Sequence, residues 1–125
     1  TLWAPRVLSI LRIAAAFIFL LHGSQKLLDL PMRAEGRPMP EMFSLFWFAG
    51  VLELFGGALL LIGLFSRQVA FLLSGMMAVA YWMVHAPQNF YPTLNGGDAA
   101  ILYCFVFLYI FFAGPGPWSV DEARK

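Results

Sequence analysis

The chain has 125 residues, of which 61% are hydrophobic, 17% aromatic and only 12% charged, with a net charge of +1. A soluble domain carries about a quarter charged residues, so a water-facing globule is excluded, and the long apolar runs point to an all-α membrane protein. The near-neutral balance offers no basic face for nucleic acid, and the single cysteine, Cys104, excludes an internal disulfide, a CxxC pair or a cysteine-held cluster.

The first apolar run covers about residues 5–28. Pro5 suits its first turn, where the missing N–H is not needed. The run holds Arg12, lacks a small-x-small cleavage site and ends in HGSQK, so it reads as a spanning helix rather than a cleaved signal. No methionine stands at the start, which leaves room for residues ahead of Thr1. At 100° per residue, Arg12, Phe19, His22, Gly23 and Lys26 share one stripe about 100° wide, and that stripe is expected to face inward. Residues 29–41, DLPMRAEGRPMPE, then bring three prolines, a glycine and five charges. Such a segment belongs in water or among headgroups.

The second run, residues 43–65, rises about 35 Å as a helix, against a bilayer core of about 30 Å. Its one ionisable group, Glu53, lies near the middle, where a carboxylate costs about 2.5–3.5 kcal/mol on insertion scales. Glu53 therefore needs a proton, a partner or a water-filled cavity. Gly50, Gly56 and Gly57 share its face and let another helix approach closely.

Ser66-Arg67-Gln68 reads as a tight turn, which makes the second and third runs antiparallel neighbours. The third run, about residues 69–86, ends at Pro87 and gathers Ser74, Ala78, Tyr81, Trp82 and His85 on one face. A loop without charge, PQNFYPTLNGG, leads to the fourth run, about residues 98–113. Asp98 stands at its start as the expected N-cap, where the helix dipole favours an anion. In the closing GPGPWSVDEARK, Trp118 reads as an interfacial anchor, and Ser119 with Glu122 is spaced to cap a short surface helix.

Four crossings make an antiparallel four-helix transmembrane bundle, one domain over residues 1–125, with both termini at one end. That end collects Arg6, Arg12, Arg67, Arg124 and Lys125, and the other Lys26, Arg33 and Arg37. Five against three predicts cytoplasmic termini. The same topology places His22, Lys26, His85 and Asp98 at the loop end, with Glu53 at the floor of a cavity opening there. This polar intramembrane cluster is the candidate quinone or proton site. Each member also has a structural reading: Glu53 as an interhelical lock, Lys26 snorkelling to headgroups, the histidines as satisfied interior groups, Asp98 as a cap. No HxxxH or HxxE spacing occurs, so no metal site is expected.

LLHGSQKL (Leu20–Leu27), ELFGGALLLIGLFSR (Glu53–Arg67), the VHAP around His85, NGGD (Asn95–Asp98) and AGPGPWSVD (Ala113–Asp121) together resemble the DoxX family of small four-helix membrane proteins. The family pattern maps onto His22, Gly23, Lys26, Glu53, Gly56, Gly57, Gly63, His85, Asn95, Gly96, Gly97 and Asp98. Many relatives carry Glu where this chain has Asp98. The resemblance implies a bacterial plasma-membrane (inner-membrane) protein connected with quinone-linked electron transfer, as in thiosulfate:quinone oxidoreductase. Without redox cysteines or a metal site the chain brings no electron carrier of its own. The expectation is therefore a membrane subunit of a quinone-linked oxidoreductase, not catalytic alone, with the lipid bilayer and other redox subunits as partners. Two alternatives stand beside it: a purely structural or assembly subunit, and a lipid- or small-molecule-binding membrane protein.

Overall fold

The computed structural model describes residues 2–31 and 39–125. Arg33 and Arg37, counted above at the loop end, lie outside the described residues. Among the described residues the regular structure is all helical, with no strand. Helix α1 spans Trp3–Leu28, α2 Leu45–Ile62, α3 Ser66–Ala80, α4 Pro92–Asn95, α5 Asp98–Ala113 and α6 Val120–Ala123. After α3 the chain continues through a π turn, Tyr81–His85, and a 3-10 turn, Ala86–Gln88. Helix α1, helix α2 and the Ser66–Gln88 stretch are long and apolar enough to cross a membrane. Helix α5 is shorter at 16 residues, about 24 Å at 1.5 Å per residue.

The link between α2 and α3 and the cap of α5 differ from the sequence expectation, each for a local reason. Helix α3 begins at Ser66, so Ser66-Arg67-Gln68 is its first turn and the reversal is made by Gly63 to Phe65. Gly63 closes α2 at φ 75°, a conformation that suits a residue without Cβ. Phe65 takes φ 53° and is held there by the Asp121 carboxylate, which accepts its N–H at 2.8 Å. At α5, the N-cap is Gly97 and Asp98 is already helical. The Asn95 side chain accepts the Gly97 N–H at 2.8 Å and orders the turn ahead of α5, so Asp98 is not the N-cap expected of it.

Packing follows the small residues. Helix α1 lies mainly on α2, and α3 mainly on α5, with α2 and α3 joined across a lesser seam. A Cβ on Gly23 would stand 2.8 Å from both the Gly50 carbonyl oxygen and the Leu54 Cα. One on Gly57 would stand 3.0 Å from Leu20, and one on Gly50 2.9 Å from the Lys26 Cβ. Rising numbers on α1 thus meet falling numbers on α2, and the two helices run antiparallel with backbones almost touching. Helices α3 and α5 do the same: Ser74 donates to the Cys104 carbonyl at 2.7 Å, and the Phe71 and Phe111 rings lie 4.9 Å apart.

The interior holds Phe19, Leu60, Leu73, Phe107 and Ile110, all fully buried. Outward stand Phe17, Phe55, Leu72, Phe105 and Phe112, more than half exposed. In water each such side chain would forfeit about 1.5–3 kcal/mol of burial. In lipid tails it forfeits nothing, which is why an exterior this apolar belongs to a membrane protein.

Candidate functional site

The glycine contact between α1 and α2 creates the site. Side chains on a helix lean toward its N-terminus, so Lys26, two residues from the end of α1, runs back into the bundle. Gly50 leaves room for its stem. Its ammonium reaches Glu53 Oε1 at 2.5 Å, a charge-assisted hydrogen bond between the two closest helices. Glu53 is 3% exposed, and its second oxygen, Oε2, is buried without a hydrogen-bond partner among the described residues. Lys26 keeps a quarter of its side chain accessible. The carboxylate thus has one oxygen engaged and one open to a proton.

Two further groups come within electrostatic reach of that carboxylate, His22 from α1 and Tyr103 from α5. The His22 ring meets Tyr103 edge-on at 6.3 Å, while Tyr103 stacks on Phe107 and touches Phe19. His22 is exposed at the surface of the helix cluster. Tyr103 was missed by sequence reasoning. Its signal was weak: one of two phenols, with Tyr109, in a largely apolar helix.

His85 joins a different set. Its Nδ1 lies 3.2 Å from the Asn95 carbonyl oxygen, and its ring lies against Tyr81. Asn95 is 4% exposed and fully engaged, donating to the Asn89 carbonyl at 2.9 Å and to the Tyr81 hydroxyl at 3.2 Å while accepting from Gly97. A Cβ on Gly97 would stand 2.7 Å from the His85 Cβ, so the glycine lets the π turn close on the α4–α5 link. Asp98 is exposed and its Oδ1 accepts the Ala99 N–H at 3.0 Å. Of the five candidates, His22 and Lys26 gather around Glu53. His85 stands in the Asn95 network, and Asp98 at the start of α5. Among the described residues no three of His, Cys, Asp and Glu come together to hold a metal ion.

The opposite end carries a second polar core. Arg12 is 1% exposed and its guanidinium donates to the Pro115 and Trp118 carbonyl oxygens, the latter at 2.7 Å. Ser9 accepts the Trp118 N–H at 3.1 Å. Asp121 accepts the N–H groups of Phe65 and Ser66, each at 2.8 Å, and so caps α3 from 55 residues away. Burial pushes the Asp121 carboxyl up, but these hydrogen bonds and the charge of Arg124 outweigh it and hold the group below the ordinary aspartate range. Trp118 is therefore more than an anchor: its backbone is part of the Arg12 cradle. Ser119 caps α6 by accepting the Glu122 N–H at 3.1 Å, as the spacing predicts.

Membrane-length apolar helices, an inward ion pair at a glycine crossing and a lipid-type exterior define a helical membrane protein. Comparison with known proteins gives its family. The DoxX family model matches residues 7–86, and the chain belongs to the DoxX family. It is 41% identical over 123 residues to an uncharacterized protein of Haemophilus influenzae, a match covering 96% of this chain and 92% of that relative. The match therefore runs beyond α3 into α5 and the C-terminal segment. No solved structure gives a significant match.

Proposed function

We propose that the protein is an accessory subunit of a quinone-linked membrane oxidoreductase, in which the Glu53 group holds and passes protons. The observation that carries this is the carboxylate itself: one oxygen bound to Lys26, the other buried and unpartnered, with His22 exposed beside it. A quinone, when bound, supplies the two-electron, two-proton couple that the chain lacks. His22 and the Tyr103 hydroxyl present hydrogen-bonding groups toward it, Glu53 takes or returns a proton at Oε2, and Lys26 balances the carboxylate charge. His85 and Asp98 serve the same end of the protein, His85 by fixing the Asn95 turn and Asp98 by its charge at the start of α5.

In this reading the four long helices form one antiparallel bundle, with α5 completing the fourth crossing together with its flanking turns. The bundle sits in the bacterial inner membrane with both termini in the cytoplasm, where Arg6, Arg67, Arg124 and Lys125 follow the positive-inside rule. Its apolar exterior meets lipid and the larger redox subunits.

The test is quinone-linked turnover of the complex purified with this subunit in place. Glu53→Gln and His22→Ala should each lower turnover at least tenfold while the complex stays assembled. The position of the ion pair at the tightest helix contact favours a second reading, a register lock in an assembly subunit. In that case the same variants reduce the yield of complex, and whatever assembles turns over normally.

A further inference from the structure

At the end opposite Lys26 and Glu53, a groove of about 890 Å³ opens between the first turns of α1 and the last turns of α5. Its wall is apolar where α1 and α5 part, with Leu8, Tyr109 and Ala113 facing it, and cationic at its rim, with Arg67, Arg124 and Lys125. The two acidic side chains there are already engaged. Asp121 is committed to the α3 N-terminus, and Glu122 pairs with Lys125 at 3.3 Å. Arg67 and Arg124 have no carboxylate partner in an ion pair among the described residues.

Both guanidinium groups are nevertheless held in place. Arg67 Nη1 donates to the Phe111 and Phe112 carbonyl oxygens at 3.2 and 2.8 Å, which fixes its plane over the end of α5. Gly114 makes that possible, since a Cβ there would stand 3.0 Å from Nη2. Arg124 lies over the Phe65 ring at 5.4 Å. Two guanidinium forks that stand outside any ion pair among the described residues, beside an apolar wall, suit a phosphate carried on a hydrocarbon chain. We propose that this groove binds an anionic glycerophospholipid, with Arg67 and Arg124 on the phosphate and an acyl chain along Leu8 and Tyr109. A soluble phosphate would leave the apolar wall unused. Basic pockets between membrane helices bind acidic headgroups by the same chemistry.

The experiment uses the full chain purified in a mild detergent and titrated with phosphatidylglycerol, phosphatidylcholine or inorganic phosphate, bound lipid being counted by native mass spectrometry. Wild type should retain phosphatidylglycerol at least tenfold more tightly than phosphatidylcholine. Arg124→Gln, at an exposed position, should weaken phosphatidylglycerol about fivefold, the factor that corresponds to about 1 kcal/mol. Arg67→Gln with Arg124→Gln should abolish the preference, while Arg6→Gln, whose side chain lies over Trp3 at 4.9 Å outside the groove lining, should leave it intact. Where the double variant does not fold, the Arg124 and Arg6 variants decide. Equal retention of the two lipids, equal loss with Arg6→Gln and Arg124→Gln, or saturable inorganic phosphate binding without lipid preference would each overturn the proposal.

Discussion

Removing either partner of the Lys26–Glu53 pair should destabilise the protein, but by unequal amounts. Glu53 is 3% exposed and, among the described residues, has no hydrogen bond other than the one from Lys26, with Oε2 already unpartnered. Lys26→Met therefore leaves a buried carboxylate with nothing on either oxygen, a loss of about 3–5 kcal/mol. Glu53→Met is milder. A quarter of the Lys26 side chain is accessible and α1 ends two residues later, so the ammonium can swing to the headgroups. That leaves the net value of one charged hydrogen bond, about 1.5–3 kcal/mol. The double Met variant removes both charges and fills the same space with apolar atoms, so it should lie within about 1 kcal/mol of wild type. Denaturant unfolding in detergent, followed by helix circular dichroism, measures all four proteins. Equal losses in the two single variants, or a double variant as poor as their sum, would refute the pairing as drawn.

The glycine contacts give a matched comparison. Gly23→Ala drives a Cβ into the α2 backbone and should cost about 1–3 kcal/mol, whereas Gly75→Ala meets no atom within 4 Å and should be neutral or stabilising by up to about 1 kcal/mol. Asp121→Ala removes the cap on α3 and should cost about 0.5–2 kcal/mol. Because the Asp121 carboxyl is lowered, its contribution is complete above its unfolded pKa of about 3.9 and is lost as pH falls through the lower folded value. Unfolding measured from pH 5 downward should thus show wild type losing an advantage over Asp121→Ala only at the acid end. Arg12→Lys keeps the charge but not the fork that reaches both Pro115 and Trp118, and limited proteolysis should then release the segment after Gly114 far faster than in wild type.

What the sequence made legible is what the bilayer imposes. Apolar runs, their breaks at Pro31 and Pro87, and Glu53 as a group needing a partner follow from solvation alone, and the glycines beside Glu53 showed which side a neighbouring helix would crowd. Topology then carried Lys26 to Glu53, because a lysine near the end of α1 and a glutamate within α2 can share one contact only if the helices oppose each other. The same topology grouped His85 and Asp98 with them by their end of the protein alone. Sharing an end of the protein is a weaker condition than sharing a contact. The π turn aims His85 at the Asn95 carbonyl, a side-chain direction no period of 3.6 contains.

The C-terminal segment was hidden for a different reason. Arg12 has polar partners at Pro115 and Trp118, about a hundred residues on, and they are backbone carbonyls that any residue type would supply. Asp121 likewise caps a helix whose own N-cap, Phe65, has no side-chain acceptor. In both cases the signal was a residue out of place: an arginine buried within an apolar run, and a helix whose N-cap position falls on Phe65 rather than on the neighbouring Ser66. In a membrane such a gap must be closed by some distant group, because lipid offers neither donor nor acceptor. A missing local cap is therefore itself evidence of a long-range contact, and the charged residues of an otherwise loose tail are where to look for its partner.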